Sequence, residues 1–413
     1  MRAPPNWSRS LTTVGITGTN GKTSTTRWTA ACLAQLVRPV AQVTTLGSFL
    51  DDVSFESTPD FDGFLATMRA ALDRGGCFAA IELTSEALAH GFSRAWPCKV
   101  GIFTNLSHDH LDAHGSAEHY LASKAQLFLS LPTDGVAVLN AADPASELLA
   151  EVIPSGARIV RYAVPSRGKP LGNPDILATA VRSSWAGTTV EIASRGDLAH
   201  APTTLTLRAI GGVFAENALA ALAAALVLGV PPLDAAKALA STPPPPGRFQ
   251  VVALDRGPRV VIDYAHTPDA LSRTLATARS LCDGELWVVF GAGGDRDKNK
   301  RKPLGLSASQ ADHVVLTSDN PRSEAPDRIA DQIRSGVDSH RDVRTELDRR
   351  AAIHTAILEA SDDDVVVIAG KGHETVQIVG ARRLLFDDLA EARAALGKKS
   401  GDTDTRRRPP DVH

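Results

Sequence analysis

The chain has 413 residues, a formal net charge of −3 and 43% hydrophobic residues. Its length suits two domains rather than one, and its near balance of charge excludes bulk attraction to nucleic acid or to an anionic membrane surface. The four cysteines, Cys32, Cys77, Cys98 and Cys282, are widely spaced and form no CxxC, which leaves neither a disulfide framework nor a zinc knuckle.

The opening "MRAPPNWSRS" has no apolar core of the kind a secretory signal needs. With free cysteines and no apolar run long enough to span a bilayer, the expectation is a cytoplasmic protein. "TTVGIT" (Thr12 to Thr17) reads as a buried strand, and Lys22 to Leu36 reads as a helix. Between them lies "GTNGKTS", Gly18 to Ser24. Glycines let backbone approach an anion, and the free N–H groups of a helix N-terminus point at it. Lys22 supplies a charge for outer phosphates, and Thr23 or Ser24 an oxygen for Mg²⁺. The strict phosphate-loop pattern wants glycine at Ile16, so this is a variant.

Further strand-like runs follow as "CFAAIEL", "KVGIFTNL" and "GVAVLN". Strands alternating with helices predict a parallel α/β sheet. Residues from about Arg161 to Ile210 turn to short alternations such as "TTVEIA" and "TTLTLRAI", which predict antiparallel strands appended to it. "ALAALAAALVLGV" (Ala218 to Val230) reads as a buried helix stopped by Gly229. "STPPPPGR" (Ser241 to Arg248) is a stiff proline linker. A second α/β series follows in "RVVIDYA", "ELWVVFG", "HVVLTS" and "DVVVIAG". The expected domains are 1–243, 244–397 and a disordered tail, 398–413. The fold expected is therefore α/β: a P-loop-type parallel-sheet domain with appended antiparallel strands, then a smaller Rossmann-like domain.

Two stretches add chemistry. "TNLSHDHLDAHGSAEHYLASK" (Thr104 to Lys124) crowds His108, His110, Asp112 and His114 behind a strand. A dinuclear hydrolase of the H-x-H-x-D-H kind is one reading, although Ala113 holds its last place. In "IELTSEAL", Glu82 ends a strand that otherwise reads as apolar. Burying a lone carboxylate costs several kcal/mol, which a neighbouring Mg²⁺ with its oxygen preference would offset.

Taken in order, "GTNGKT", the strand ending in Glu82, "NLSHDHLDAHG" followed by Lys124, "GR", "DYAHTPDAL", "GAGGDRD", "DNPR" and "GKGHE" resemble the Mur ligase family. The likeness is strongest to the branch that adds the third residue of the peptidoglycan stem, and runs from about Leu11 to Leu396. It implies an ATP-dependent carboxylate–amine ligase that works through an acyl phosphate. Gly18, Thr19, Asn20, Gly21, Lys22, Thr23 and Ser24 would hold the ATP phosphates. Thr23, Glu82, His110 and Lys124 would hold two Mg²⁺, with Lys124 carried as a CO₂ carbamate that turns a repelled ammonium into an anionic ligand. Asn217 would read the adenine, and Arg248, Asp263 and His266 would complete the nucleotide contacts. Asp319, Asn320, Arg322, Gly370 and Glu374 would hold an amino acid-like acceptor resembling diaminopimelate.

The donor side departs from the family. Thr84, Ser85 and Glu86 stand where "SSH" is usual, Phe92 where an arginine is usual, and Phe214 where an asparagine precedes Asn217. About a dozen residues precede the first strand, so the UDP-binding domain of the family is expected to be missing. The expected donor is then a small free carboxylic acid. The alternatives are a peptidoglycan ligase whose UDP-binding part comes from a partner chain, a ligase of the folylpolyglutamate or cyanophycin kind, and a non-catalytic ATP-binding partner protein.

Overall fold

The computed structural model describes residues 4–107, 116–254 and 256–401. The chain divides into two compact units, Met1–Pro245 and Pro246–His413, the division falling within the proline run.

Among the described residues the first unit is built on an 11-stranded sheet. Its strands are β1 (Thr12–Thr17), β2 (Val40–Thr44), β3 (Gly47–Leu50), β4 (Val53–Phe55), β5 (Phe78–Glu82), β6 (Val100–Phe103), β7 (Val136–Asn140), β8 (Arg158–Ala163), β9 (Ile176–Ser184), β10 (Gly187–Ser194) and β11 (Thr204–Leu207). The spatial order is β11-β10-β9-β8-β7-β6-β1-β5-β2-β3-β4. Pairing is parallel from β2 through β9. The order runs outward in both directions from β1, which makes its C-terminal end a topological switch point, where such sheets bind ligands.

Beyond Arg161 the chain first completes β8 and starts β9 in parallel register, and turns antiparallel only at the β9–β10–β11 meander. The other edge closes with an antiparallel β2–β3–β4 ribbon, which the apolar runs did not announce. Strands β3 and β4 are short and half-exposed, so they carry no continuous apolar signal. The helix Lys22–Leu33 stops three residues earlier than expected. The alanine-rich helix Gly212–Val227 is buried without interruption from Phe214 to Leu226. Small side chains let it lie close against its neighbours, and Trp28 meets Phe214 edge-on at 6.0 Å.

The second unit holds a six-stranded sheet among the described residues, ordered β12-β13-β17-β14-β15-β16. The strands are β12 (Gln250–Val252), β13 (Arg259–Asp263), β14 (Leu286–Phe290), β15 (His313–Leu316), β16 (Asp342–Thr345) and β17 (Val365–Ala369). All pairs are parallel except β12–β13. A separate hairpin joins β18 (Val376–Val379) to β19 (Arg382–Leu385). The helix Asp388–Lys399 takes in the first two residues of the expected tail, where Lys398 and Lys399 complement the helix C-terminus. Residues 402–413 lie outside the described residues. Among the described residues no helix is long and apolar enough to cross a membrane.

Candidate active site

In the first unit the site grows from the ends of β1, β5 and β6. Gly18 and Gly21 take φ of 148° and 87°. Neither has room for a side chain: a Cβ on Gly18 would meet Thr104 Oγ1 at 1.9 Å, and one on Gly21 would meet Asn217 Oδ1 at 2.2 Å. The end of β6 holds the loop from the side. Thr19 N donates to Asn105 O at 2.8 Å, Asn20 N to Asn105 Oδ1 at 3.0 Å, and Thr104 Oγ1 to Asn20 O at 2.7 Å. Lys22 Nζ folds back to Thr19 O at 2.9 Å. Ser24 is buried beside Thr23 in the first turn of the helix.

Glu82 meets this loop directly. Its Oε2 accepts from Thr23 Oγ1 at 2.9 Å and from Thr45 N at 3.2 Å. A hydroxyl and a carboxylate from facing elements form an oxygen-donor pair that suits Mg²⁺. Lys124 comes from the helix Ala117–Leu129 and is 1% exposed. Its Nζ donates to Gly18 O at 2.9 Å and lies 4.0 Å from the centroid of the Tyr120 ring. Tyr120 OH in turn donates to Thr19 Oγ1 at 3.3 Å. His108, His110, Asp112 and His114 lie outside the described residues, so the hydrolase reading and the place of His110 rest on sequence. Among the described residues no group of three or more His, Cys, Asp or Glu is placed to hold a metal.

On the donor side, Thr84 caps the short helix Ser85–Ala89 by accepting from Ala87 N at 3.1 Å. Ser85 is buried and Glu86 exposed. Phe92 packs against Phe61 and Phe64 at ring distances of 5.8 and 5.0 Å. With Ala87 and His90, Phe61 and Phe92 line a cleft of about 450 Å³ that also carries Asp60 and Asp62.

In the second unit the loops after β13, β14, β15 and β17 gather at the C-terminal ends of the strands. Asp263 accepts from Phe249 N at 2.6 Å and Ala265 N at 2.8 Å. Burial raises its pKa above the usual carboxylate value, against the pull of Arg248 and these donors. Both its oxygens are thus engaged in fixing the backbone beside Arg248, whose guanidinium lies 4.4 Å from the Tyr264 ring centroid. His266 Nδ1 is 2.9 Å from Tyr264 O.

The "DNPR" and "GKGHE" loops interlock. Asn320 Nδ2 donates to Glu374 Oε2 at 3.0 Å, and Lys371 Nζ, fully buried, donates to the same oxygen at 3.2 Å and to Val376 O at 2.7 Å. Gly370 lies against the Asp319 carboxylate. Burial raises the pKa of Asp319, opposed by Arg349 and Lys371. Arg322 sits at φ 51° and donates through Nη1 to Gly294 O at 2.8 Å. Behind them Arg349 makes a buried two-pronged pair with Asp388, with both contacts at 2.7 Å.

Sequence reasoning missed Thr45, Tyr120, Lys371 and the Arg349–Asp388 pair as parts of these loops. Only Lys371 carried a signal, as the lysine inside "GKGHE".

A family model for the Mur ligase middle domain matches residues 16–225, and one for the Mur ligase, glutamate ligase domain matches residues 247–372. The UDP-N-acetylmuramoyl-L-alanyl-D-glutamate–2,6-diaminopimelate ligase of Thermosynechococcus vestitus is 40% identical over 403 residues, covering 95% of this chain and 78% of that protein. The enzyme of that name from Geobacillus thermodenitrificans is 36% identical over 397 residues, covering 94% and 79%. A solved structure of a ligase of that name has a TM-score of 0.65 at 34% identity, over 94% of this chain and 79% of the other. A folylpolyglutamate synthase structure from Mycobacterium tuberculosis shares the fold, with a TM-score of 0.70 at 22% identity, over 98% and 93%. The expectation of a partner chain supplying a UDP-binding part finds no support in these matches, and the family match outranks both the hydrolase reading and that of a non-catalytic partner. With both models matched and relatives aligned along nearly its whole length, the chain belongs to the Mur ligase family of ATP-dependent, amide-bond-forming ligases.

Proposed function

We propose that the chain activates a compact carboxylic acid as its acyl phosphate and passes the acyl group to the amine of an acceptor of the diaminopimelate type, the acceptor in its relatives' names. The observation that carries this reading is the contact of Thr23 with Glu82 at the phosphate loop. A carboxylate is a poor electrophile at neutral pH. Phosphorylation by ATP gives it a leaving group, the amine attacks the carbonyl carbon, and the tetrahedral intermediate expels phosphate.

The chain's own residues divide this work. The loop from Gly18 to Ser24 would cradle the phosphates on its N–H groups, with Lys22 released from Thr19 O to face them. Asn217, Arg248 and His266 are assigned to the nucleotide, with Asp263 fixing the backbone beside Arg248. Two Mg²⁺, when bound, would neutralise charge on the transferring phosphoryl group. Thr23, Glu82, His110 and a carbamate on Lys124 are the groups assigned to hold them. An ammonium at Lys124 cannot ligate a cation, whereas the carbamate would bring an anionic oxygen to the buried position beside Gly18. Free cysteines at all four positions fit a reducing, cytoplasmic setting.

Arg322 is assigned to an acceptor carboxylate, because a guanidinium can grip one with two parallel bonds. Gly370 and Glu374 are assigned to the acceptor's far amino end, with Asp319 and Asn320 shaping the loop between.

The donor reading rests on Phe92 and Glu86. Phe92 belongs to an aromatic cluster where a guanidinium is usual, and Glu86, exposed on the helix Ser85–Ala89, adds a negative charge to the donor side. Both disfavour an anionic peptide and favour a donor with an amine or hydroxyl. The identity to the relatives favours a second reading, in which the donor is the UDP-linked dipeptide in their names. The two separate when the protein is given ATP, Mg²⁺ and diaminopimelate with either that dipeptide or a panel of small acids. Product from a small acid alone supports the first reading, and efficient turnover of the UDP-linked dipeptide overturns it.

A further inference from the structure

Two loops face each other at the ends of β14 and β15: residues 291–297, "GAGGDRD", and residues 317–324, "TSDNPRSE". Each contains a non-glycine residue in the left-handed region, Asp295 at φ 52° and Arg322 at φ 51°. Such conformations persist only when their surroundings over-determine them. Here the surroundings do. Gly294 N donates to Asn320 O at 2.9 Å, and the Asp295 carboxylate accepts from Ser323 Oγ at 2.7 Å and Ser323 N at 3.1 Å.

One ion pair ties both loops to the body of the unit. Arg301, fully buried at the start of the helix Arg301–Ala308, donates to Glu324 Oε2 at 3.0 Å and to Oε1 at 2.9 Å. The same guanidinium donates to Gly293 O at 3.2 Å, and Glu324 Oε1 accepts from Asp295 N at 2.6 Å. The pair thus grips Gly293 and Asp295 in one loop through a residue only two positions from Arg322 in the other. A pair between a buried guanidinium and a half-buried carboxylate adds little net stability over apolar packing. Arg301 Nε even lacks a hydrogen-bond partner among the described residues. What the pair fixes is geometry. Arg322 spends Nη1 on Gly294 O and Asn320 O, while its Nε and Nη2 make no hydrogen bond among the described residues and form the edge that a carboxylate would meet.

We propose that Arg301 and Glu324 are positioning residues for the acceptor: by locking the 291–297 loop against the 317–324 loop they aim Arg322 at the acceptor carboxylate. The inference rests on the assignment of Arg322 given above. The hydrogen bonds from Arg301 hold the Glu324 carboxyl down at a pKa of about 2, so the pair stays ionised over any working pH.

The test needs no donor. Dissociation constants for diaminopimelate and for ATP are measured on the full chain by titration calorimetry for the parent, Glu324→Gln, Arg322→Ala and the double variant. Glu324→Gln should weaken diaminopimelate binding about tenfold and change ATP binding by less than about twofold. In the Arg322→Ala background the same substitution should add almost nothing, because the clamp it aims is gone. Additive losses in the double variant, equal losses for both ligands, or no loss in Glu324→Gln would overturn the inference while leaving Arg322 as the clamp. Unchanged diaminopimelate binding in Arg322→Ala would overturn the assignment of Arg322, and this inference with it. Should Glu324→Gln fail to fold, Arg301→Lys keeps the charge but loses the two-pronged fork, and the same comparisons apply.

Discussion

Thr23 Oγ1 donates to Glu82 Oε2 at 2.9 Å, so the first turn of the helix after the phosphate loop is bonded to the end of the neighbouring strand. The two residues lie 59 positions apart in the chain and meet because β1 and β5 are adjacent and parallel. The Glu82 carboxylate also accepts from Thr45 N, which fixes its orientation.

If this pair holds a phosphate-bound cation, Glu82→Gln should remove several kcal/mol of transition-state stabilisation. That corresponds to a fall of about a hundredfold or more in kcat. Glutamine keeps the hydrogen bonds from Thr23 and Thr45, so the melting temperature should barely move. Steady-state ADP release across a Mg²⁺ titration checks this. A variant with ordinary kcat and Mg²⁺ dependence would remove Glu82 from the metal site.

Lys124 separates two chemistries. As a carbamate its role is anionic, so Lys124→Ala should lose nearly all ligation and short carboxylic acids should restore part of it. As an ammonium bonded to Gly18 O, its role would pass to arginine and not to a small acid. Rates of Lys124→Ala with and without added acetate, beside those of Lys124→Arg, decide between them. An active Lys124→Ala enzyme would exclude both.

Arg322→Ala should cost about 2–5 kcal/mol of acceptor binding, the range for a truncated, hydrogen-bonded charge pair. The KM for ATP should stay near its parent value. A parallel rise in both KM values would point to a loop that has merely loosened.

Of the site, the phosphate loop was the most legible part, because the Gly18–Thr23 spacing is local and carries its own mechanism. Glu82 was legible for a different reason: a carboxylate ending an apolar strand is costly unless something meets it. Lys371 showed only as the lysine inside "GKGHE" and Arg301 not at all, since nothing local separates a buried lysine or arginine from a surface one. Their partners lie up to 51 residues away in sequence for Lys371 and 31 for Arg301. The parallel strands β1, β5, β6 and β7 could be read because burial on both faces makes them continuous apolar runs. Strands β3, β4, β16 and β19 could not, being short, half-exposed or edge elements.

His313 offers a test of the second unit by itself. Its ring stacks on Trp287 at 3.9 Å, with Nδ1 2.9 Å from Asp342 Oδ2 and Nε2 2.8 Å from Glu285 Oε2. Burial would lower its pKa, but the two carboxylates outweigh that and raise it above the ordinary 6.5. Arg344, bonded to Asp342 at 3.1 Å, is the nearby positive charge. A raised folded-state pKa means that the stabilisation is complete below pH 6.5 and is lost as pH rises through the folded value. The melting-temperature difference between the parent and His313→Gln should therefore be largest on the acid side of neutrality and shrink as pH rises. A difference that grew with pH would contradict the arrangement.

Acyl-phosphate chemistry with an amine acceptor leaves an isotopic mark on the released phosphate. The most direct measurement supplies ATP, Mg²⁺, diaminopimelate and donor acids labelled with ¹⁸O in the carboxylate, then follows ADP and the isotope content of the released phosphate. Transfer through an acyl phosphate predicts ADP formation that depends on diaminopimelate, with one labelled oxygen carried into phosphate for each amide formed. Unlabelled phosphate, AMP in place of ADP, or ADP released at the same rate without donor and acceptor would contradict it.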